Sequence, residues 1–81
     1  MPVTPSIVDK RMLKLIDLLK ANGTIRFTQQ FLDSIGMLKQ NLRQVKEGQI
    51  RFNTDHILKA CKTYKVNANW IFGLEKEVFR K

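Results

Sequence analysis

Residues 28–48, TQQFLDSIGMLKQNLRQVKEG, constrain the fold more than any other stretch of the chain. They read as two short amphipathic helices joined at a single glycine, Gly36. Helices that cross at a steep angle need a small residue at the turn, and glycine adopts the left-handed conformation there without a steric penalty. The spacing predicts the first helix from about Thr28, a possible N-cap, to Ile35. It predicts the second from about Lys39 to Glu47, stopped by Gly48.

The flanking sequence continues in the same style. Both prolines, Pro2 and Pro5, fall within the first five residues, so nothing later interrupts a helix. Alternating β-branched runs between turn residues are missing, so strands are not expected. An opening helix starts either at a Ser6 cap with Asp9 three residues on, or at Thr4 with Pro5 in the first helical position. Its apolar set is Ile7, Val8, Met12, Leu15, Ile16 and Leu19, and Asn22-Gly23 ends it. A fourth helix starts at Asn53 or Thr54, with apolar positions Ile57, Leu58, Cys61 and Tyr64. Asn67 caps a short fifth helix bearing Trp70 and Ile71, closed by Gly73. The tail LEKEVFRK is open to two readings, a frayed helix or an ordered oligomer contact. The expected fold is all-α, a compact five-helix bundle forming one domain over residues 1–81.

Composition removes several function classes. Apolar runs never exceed three residues, far short of the roughly 20 of a membrane span. The start, MPVTPSIVDKR, has neither the apolar core nor the cleavage pattern of a secretory signal. One cysteine, Cys61, forms no internal disulfide and fits a reducing cytoplasm. With one Cys and one His (His56) no usual zinc site can form. No nucleophile–base pair, metal-ligand cluster or phosphate-cradling loop is present, so neither an enzyme nor a cofactor is expected.

Charge points to a partner. The net charge is +8 and the pI about 10.1, a balance that favours a polyanion such as nucleic acid. At about 100° per residue, the helix of residues 39–47 has two faces. Leu38, Leu42 and Val45 fall in one apolar sector, expected to pack on its neighbours. Lys39, Gln40, Arg43, Gln44, Lys46 and Glu47 cover the other. A polar helical face alone marks only contact with water. Behind a helix–Gly–helix turn it suits the major groove of DNA, where Gln grips an adenine edge and Arg a guanine edge.

The stretch resembles the Cro/CI-repressor type of helix-turn-helix domain, the Xre-like family, and the similarity covers most of the chain. The turn glycine of that motif matches Gly36, and its buried positions match Phe31, Ile35, Met37, Leu42 and Val45. Gly48 matches the glycine after the recognition helix. The segment ILKACKTYKVNANWIFG is similar to the family's closing pattern through Val66, Trp70 and Gly73. The resemblance implies base contacts by Lys39, Gln40 and Gln44, with Arg43 on the same face. It implies backbone contacts at the start of the preceding helix, Thr28 and Gln29, and in the following loop, Gln49 and Arg51. Lys46 adds a basic phosphate ligand. It further implies a transcriptional regulator, a repressor of phage or mobile-element type, binding a pseudopalindromic operator in double-stranded DNA as a homodimer. No separate sensor or protease domain is expected within these 81 residues.

Two positions depart from the family. Leu32 stands where alanine is favoured, and Leu38 where a Ser, Thr or Asp cap opens the recognition helix. Leu38 is expected to touch a thymine methyl or a partner helix instead. Glu47 faces phosphates and is expected to pair with Arg43. The competing reading is a protein-interaction module of antitoxin or anti-repressor type, with Val78-Phe79 as its exposed apolar patch. Cys61 reads as packing, His56 as a surface histidine, and Tyr64 and Trp70 as core. RNA is disfavoured, because exposed aromatics for stacking are not evident.

Overall fold

The computed structural model describes residues 6–80; the alternative Thr4–Pro5 start lies outside them. Five helices follow in order: α1 (Ile7–Ala21), α2 (Thr28–Ile35), α3 (Lys39–Lys46), α4 (Thr54–Tyr64) and α5 (Ala68–Ile71). They form a body of 40 × 27 × 22 Å, all-α and without named strands among the described residues.

Local chemistry sets the boundaries. Ser6 opens α1, its hydroxyl accepting from the Asp9 amide at 3.3 Å. Asn53 opens α4 with a reciprocal pair: its Oδ1 accepts from the His56 amide at 2.8 Å, and its own amide donates to His56 Nδ1 at 3.2 Å. His56 is thus half of a capping box rather than an idle surface side chain. At α2 the N-cap is Phe27, not Thr28. The Gln30 side chain reaches back to accept from the Phe27 amide at 3.0 Å, and the Gln30 amide, which a cap hydroxyl would otherwise take, donates to Phe27 O at 3.1 Å.

The core gathers Met12, Leu15, Ile16 and Leu19 from α1, Phe31, Leu32 and Ile35 from α2, and Leu42 and Val45 from α3. Ala60 of α4 and Trp70 and Ile71 of α5 complete it, with Ile25, Met37, Phe52 and Val66 from the connections. α2 packs mainly on α4, and α1 on α5 and α2. Phe31 stacks on Tyr64 at 5.6 Å, and the Tyr64 hydroxyl shares a 2.6 Å hydrogen bond with Ser34 Oγ. Arg11 lies 5.0 Å from the Trp70 ring centre, covering the indole.

Three expected core positions face outward. Ile7 is 49% exposed, since the first residue of α1 overhangs the bundle. Leu58 is 49% exposed, because α4 enters the core through the small Ala60 instead. Leu38 is 61% exposed. It is the N-cap residue of α3, with extended backbone (φ −81°, ψ 148°), so helical periodicity does not reach it. Over residues 74–80 the tail is neither a helix nor free. It folds back beside the α4–α5 connection, where Val66 bridges Phe79 in antiparallel fashion. The Asn67 amide donates to Val78 O at 2.7 Å and the Arg80 amide to Lys65 O at 2.9 Å.

Candidate nucleic-acid interface

The joint between α2 and α3 is built as a left-handed helix end. Gly36 takes φ +75°, and the Met37 amide donates back to Leu32 O at 2.9 Å, the six-to-one closure that lets the chain reverse. Leu32 is fully buried in the position where a smaller residue was expected. Leu42 and Val45 point inward from α3 and anchor it.

That anchoring leaves Lys39, Gln40, Arg43 and Gln44 all exposed, on the residues sequence spacing selected. Lys39, Gln40, Arg43 and Lys46 border one shallow hollow along α3. Arg43 Nε donates to Glu47 Oε1 at 3.1 Å, as expected from their spacing. The pair holds the guanidinium along the helix and removes part of its charge from this face. No side chain caps α3; the Leu38 carbonyl accepts from the amides of Asn41 at 3.0 Å and Leu42 at 3.2 Å.

The flanking positions divide into three groups. Thr28 is half-buried and shares a small cleft with Lys46, Lys20 and Asp17 at the meeting of α1, α2 and α3. Lys20 was not singled out by sequence, because a lone lysine in the last turn of a helix carries no signal beyond its charge. Gln29 is exposed, but its Nε2 donates to Asp33 Oδ1 at 2.8 Å, which commits one of its two donor hydrogens along α2. Gln49 and Arg51 are exposed on the loop between α3 and α4.

That loop has an internal anchor. Asp9, only 1% exposed, accepts from the Phe52 amide through Oδ1 at 3.0 Å and from Ser6 Oγ through Oδ2 at 3.0 Å. Sequence spacing reveals Asp9 as the local partner of Ser6 and says nothing of Phe52, 43 residues away. One buried carboxylate therefore fixes both the start of α1 and the loop carrying Arg51.

Aromatic exposure differs from expectation. Phe27 at the head of α2 and Phe72 after α5 both face solvent. Val78 and Phe79 are half-buried against the core, so they do not form the exposed patch that an interaction module would use. Cys61 is half-buried, and burial raises its thiol pKa despite the opposing charge of Arg80. Among the described residues no group of His, Cys, Asp and Glu is placed to hold a metal, and no helix is long and apolar enough to cross a membrane. Comparison with protein-family models, curated proteins and solved structures found no match for this chain.

Proposed function

We propose that this protein binds double-stranded DNA sequence-specifically through α3 and regulates transcription, as a repressor of the Cro/CI-like, lambda-repressor-like helix-turn-helix type. The observation that carries the reading is the face of α3. Two buried residues, Leu42 and Val45, hold the helix against the bundle behind the Gly36 turn, and Lys39, Gln40, Arg43 and Gln44 are exposed on its other side, Arg43 in its pair with Glu47. An α-helix presented this way fits the major groove, where Gln40 and Gln44 pair with adenine edges and Lys39 and Arg43 with guanine.

Thr28, Gln29, Lys46, Gln49 and Arg51 flank that face and would take phosphates, fixing register without reading sequence. The net charge of +8 supports attraction to the duplex and a cytoplasmic place of action beside it. The operator would be pseudopalindromic and the bound form a homodimer. The patch that the interaction-module alternative named, Val78 and Phe79, packs inward, and the exposed large apolar side chains stand elsewhere, at Phe27, Leu58 and Phe72.

The test is selection of bound duplexes from a randomised DNA library at near-physiological salt. An enriched inverted repeat is expected. Gln40→Ala or Gln44→Ala should weaken operator binding by about 1–3 kcal/mol and relax preference at one base position. If neither glutamine change alters base preference, α3 does not read DNA.

A further inference from the structure

We propose that the cleft where α1, α2 and α3 meet seats one phosphodiester of the duplex, gripped by Lys20 and Lys46 together and tuned by Asp17 to that group's single charge. The inference deepens the duplex-binding reading and rests on it. The cleft holds about 130 Å³. That is the room of roughly four waters at about 30 Å³ each, enough for one tetrahedral oxyanion. Pockets for larger ligands begin at about 300 Å³.

Charge narrows the ligand. Lys20 comes from the last turn of α1 and Lys46 from the last turn of α3, so two ammonium groups from separate helices border one small space. The apolar part of its lining is Leu13, half-buried, with Ile16 and Leu42, 4% and 5% exposed. Such a lining keeps water off one side of a bound charge and strengthens its attraction to the lysines. Thr28 adds a hydroxyl, which can donate to an oxyanion. Asp17 is the one carboxylate on the wall, and it is paired with neither lysine: among the described residues the single ion pair is Arg43–Glu47. Two lysines and one carboxylate leave the cleft one positive charge in excess. An internal backbone phosphate carries one negative charge, whereas a terminal or free phosphate carries about 1.5–2 at pH 7. The cleft balances the first and not the second.

Position agrees. Lys46 and Leu42 border this cleft and also the hollow along α3 that Lys39, Gln40 and Arg43 share. The cleft therefore adjoins the face assigned to bases. A helix lying in a major groove about 12 Å wide has a sugar–phosphate strand along each flank, so a phosphate seat belongs on the wall of α3 beside its reading face.

Salt titration of duplex binding by the full chain tests the proposal, with Lys20→Gln, Lys46→Gln, the double variant and, outside the cleft, Lys62→Gln. Each phosphate neutralised contributes about 0.9 to the slope of log affinity against log salt. Lysines sharing one phosphate should lower the slope by about 0.9 in the double variant, equally for all sequences, and Lys62→Gln should leave it unchanged. A fall of about 1.8 would give each lysine its own phosphate, and no fall would leave both in water; either result overturns the shared seat. Inorganic phosphate is the second probe, read through the amide signals of Thr28 and Lys46. Asp17→Asn should bind it severalfold more tightly than the wild-type chain, and equal binding overturns the tuning by Asp17. Duplex binding with an unaltered slope sinks the cleft and spares the function. No duplex binding, with phosphate held at Thr28 and Lys46 in the Asp17→Asn chain, refutes the function and leaves an oxyanion seat. Failure of both probes removes both.

Discussion

Replacing Asp9 should cost more than any other single change to a polar side chain outside α3. Asp9→Ala removes the acceptor of two hydrogen bonds, from the Phe52 amide and the Ser6 hydroxyl. Bonds to a charged group are each worth about 1.5–3 kcal/mol net. Against this, the variant no longer buries a carboxylate, which returns several kcal/mol that the ion loses by leaving water. What remains uncompensated is a Phe52 amide left inside without a partner, about 1–3 kcal/mol, together with the loosened start of α1. The expected net loss is about 2–4 kcal/mol. A chain of 81 residues has roughly 4–12 kcal/mol of stability in all, so the loss is a large share of it.

Urea unfolding followed by helical circular dichroism gives the number, and amide exchange at Phe52 gives its location. Asp9→Asn keeps an acceptor toward Phe52 and should lose about 1 kcal/mol, with the Ser6 hydroxyl turning to accept from the new amide. A loss below about 0.5 kcal/mol for Asp9→Ala, or an Asn variant as unstable as the Ala variant, would refute the assigned role. Because Arg51 precedes Phe52, the same variant should weaken duplex binding equally for all sequences, by freeing the loop rather than altering α3.

Three further outcomes are expected. Gly36→Ala should lose about 1–2 kcal/mol from its φ of +75°, lowering Tm by roughly 4–8 °C per kcal/mol, while Gly36→Asn should lose less; its added Cβ meets only the mobile Lys59 Nζ at 3.4 Å, so equal melting of all three proteins would remove the backbone explanation. Burial first, and the charge of Lys59 second, hold the His56 pKa below its ordinary 6.5, with Asp55 opposing. Protonation therefore favours the unfolded chain: the stabilising share of His56 is whole above pH 6.5 and is lost as pH falls through the lower folded value, a slope that His56→Gln should lack in urea melts between about pH 7 and 5. Glu47→Gln frees Arg43 and removes a negative charge from the α3 face, so duplex affinity should rise severalfold at low salt and less at high salt, for a few tenths of a kcal/mol of helix stability; unchanged affinity at low salt would place Glu47 away from phosphate.

The parts legible in the sequence are those governed by local rules. Ser6, Asn53 and Asn67 are capping residues, and Gly36 ends α2 left-handed; each effect depends on chain neighbours within a few positions. Leu42 and Val45 face inward and Gln40 and Gln44 outward because α3 is regular over all four. Periodicity misleads where regular backbone stops. Leu38 stands one residue before α3 in an extended conformation, so its angle on a helical wheel has no physical meaning, and it projects to solvent. Leu58 misleads differently: the period is right, but α4 meets α2 closely enough that Ala60 fills the contact and the larger side chain is left outside.

The remaining features come from pairings that no window along the chain contains. Asp9 meets Phe52 across 43 residues, and Val66 meets Phe79 through backbone groups with no side-chain pattern to announce them. The Asp9–Phe52 pairing bears on the proposed interface as much as the helices do. The α3 face can be read from periodicity, but its usefulness depends on a loop held at a fixed distance beside it. That loop is held by the Asp9 carboxylate. Asp9→Asn, which keeps an acceptor toward the Phe52 amide, should therefore hold Arg51 in place and leave duplex affinity near the wild-type value where Asp9→Ala lowers it.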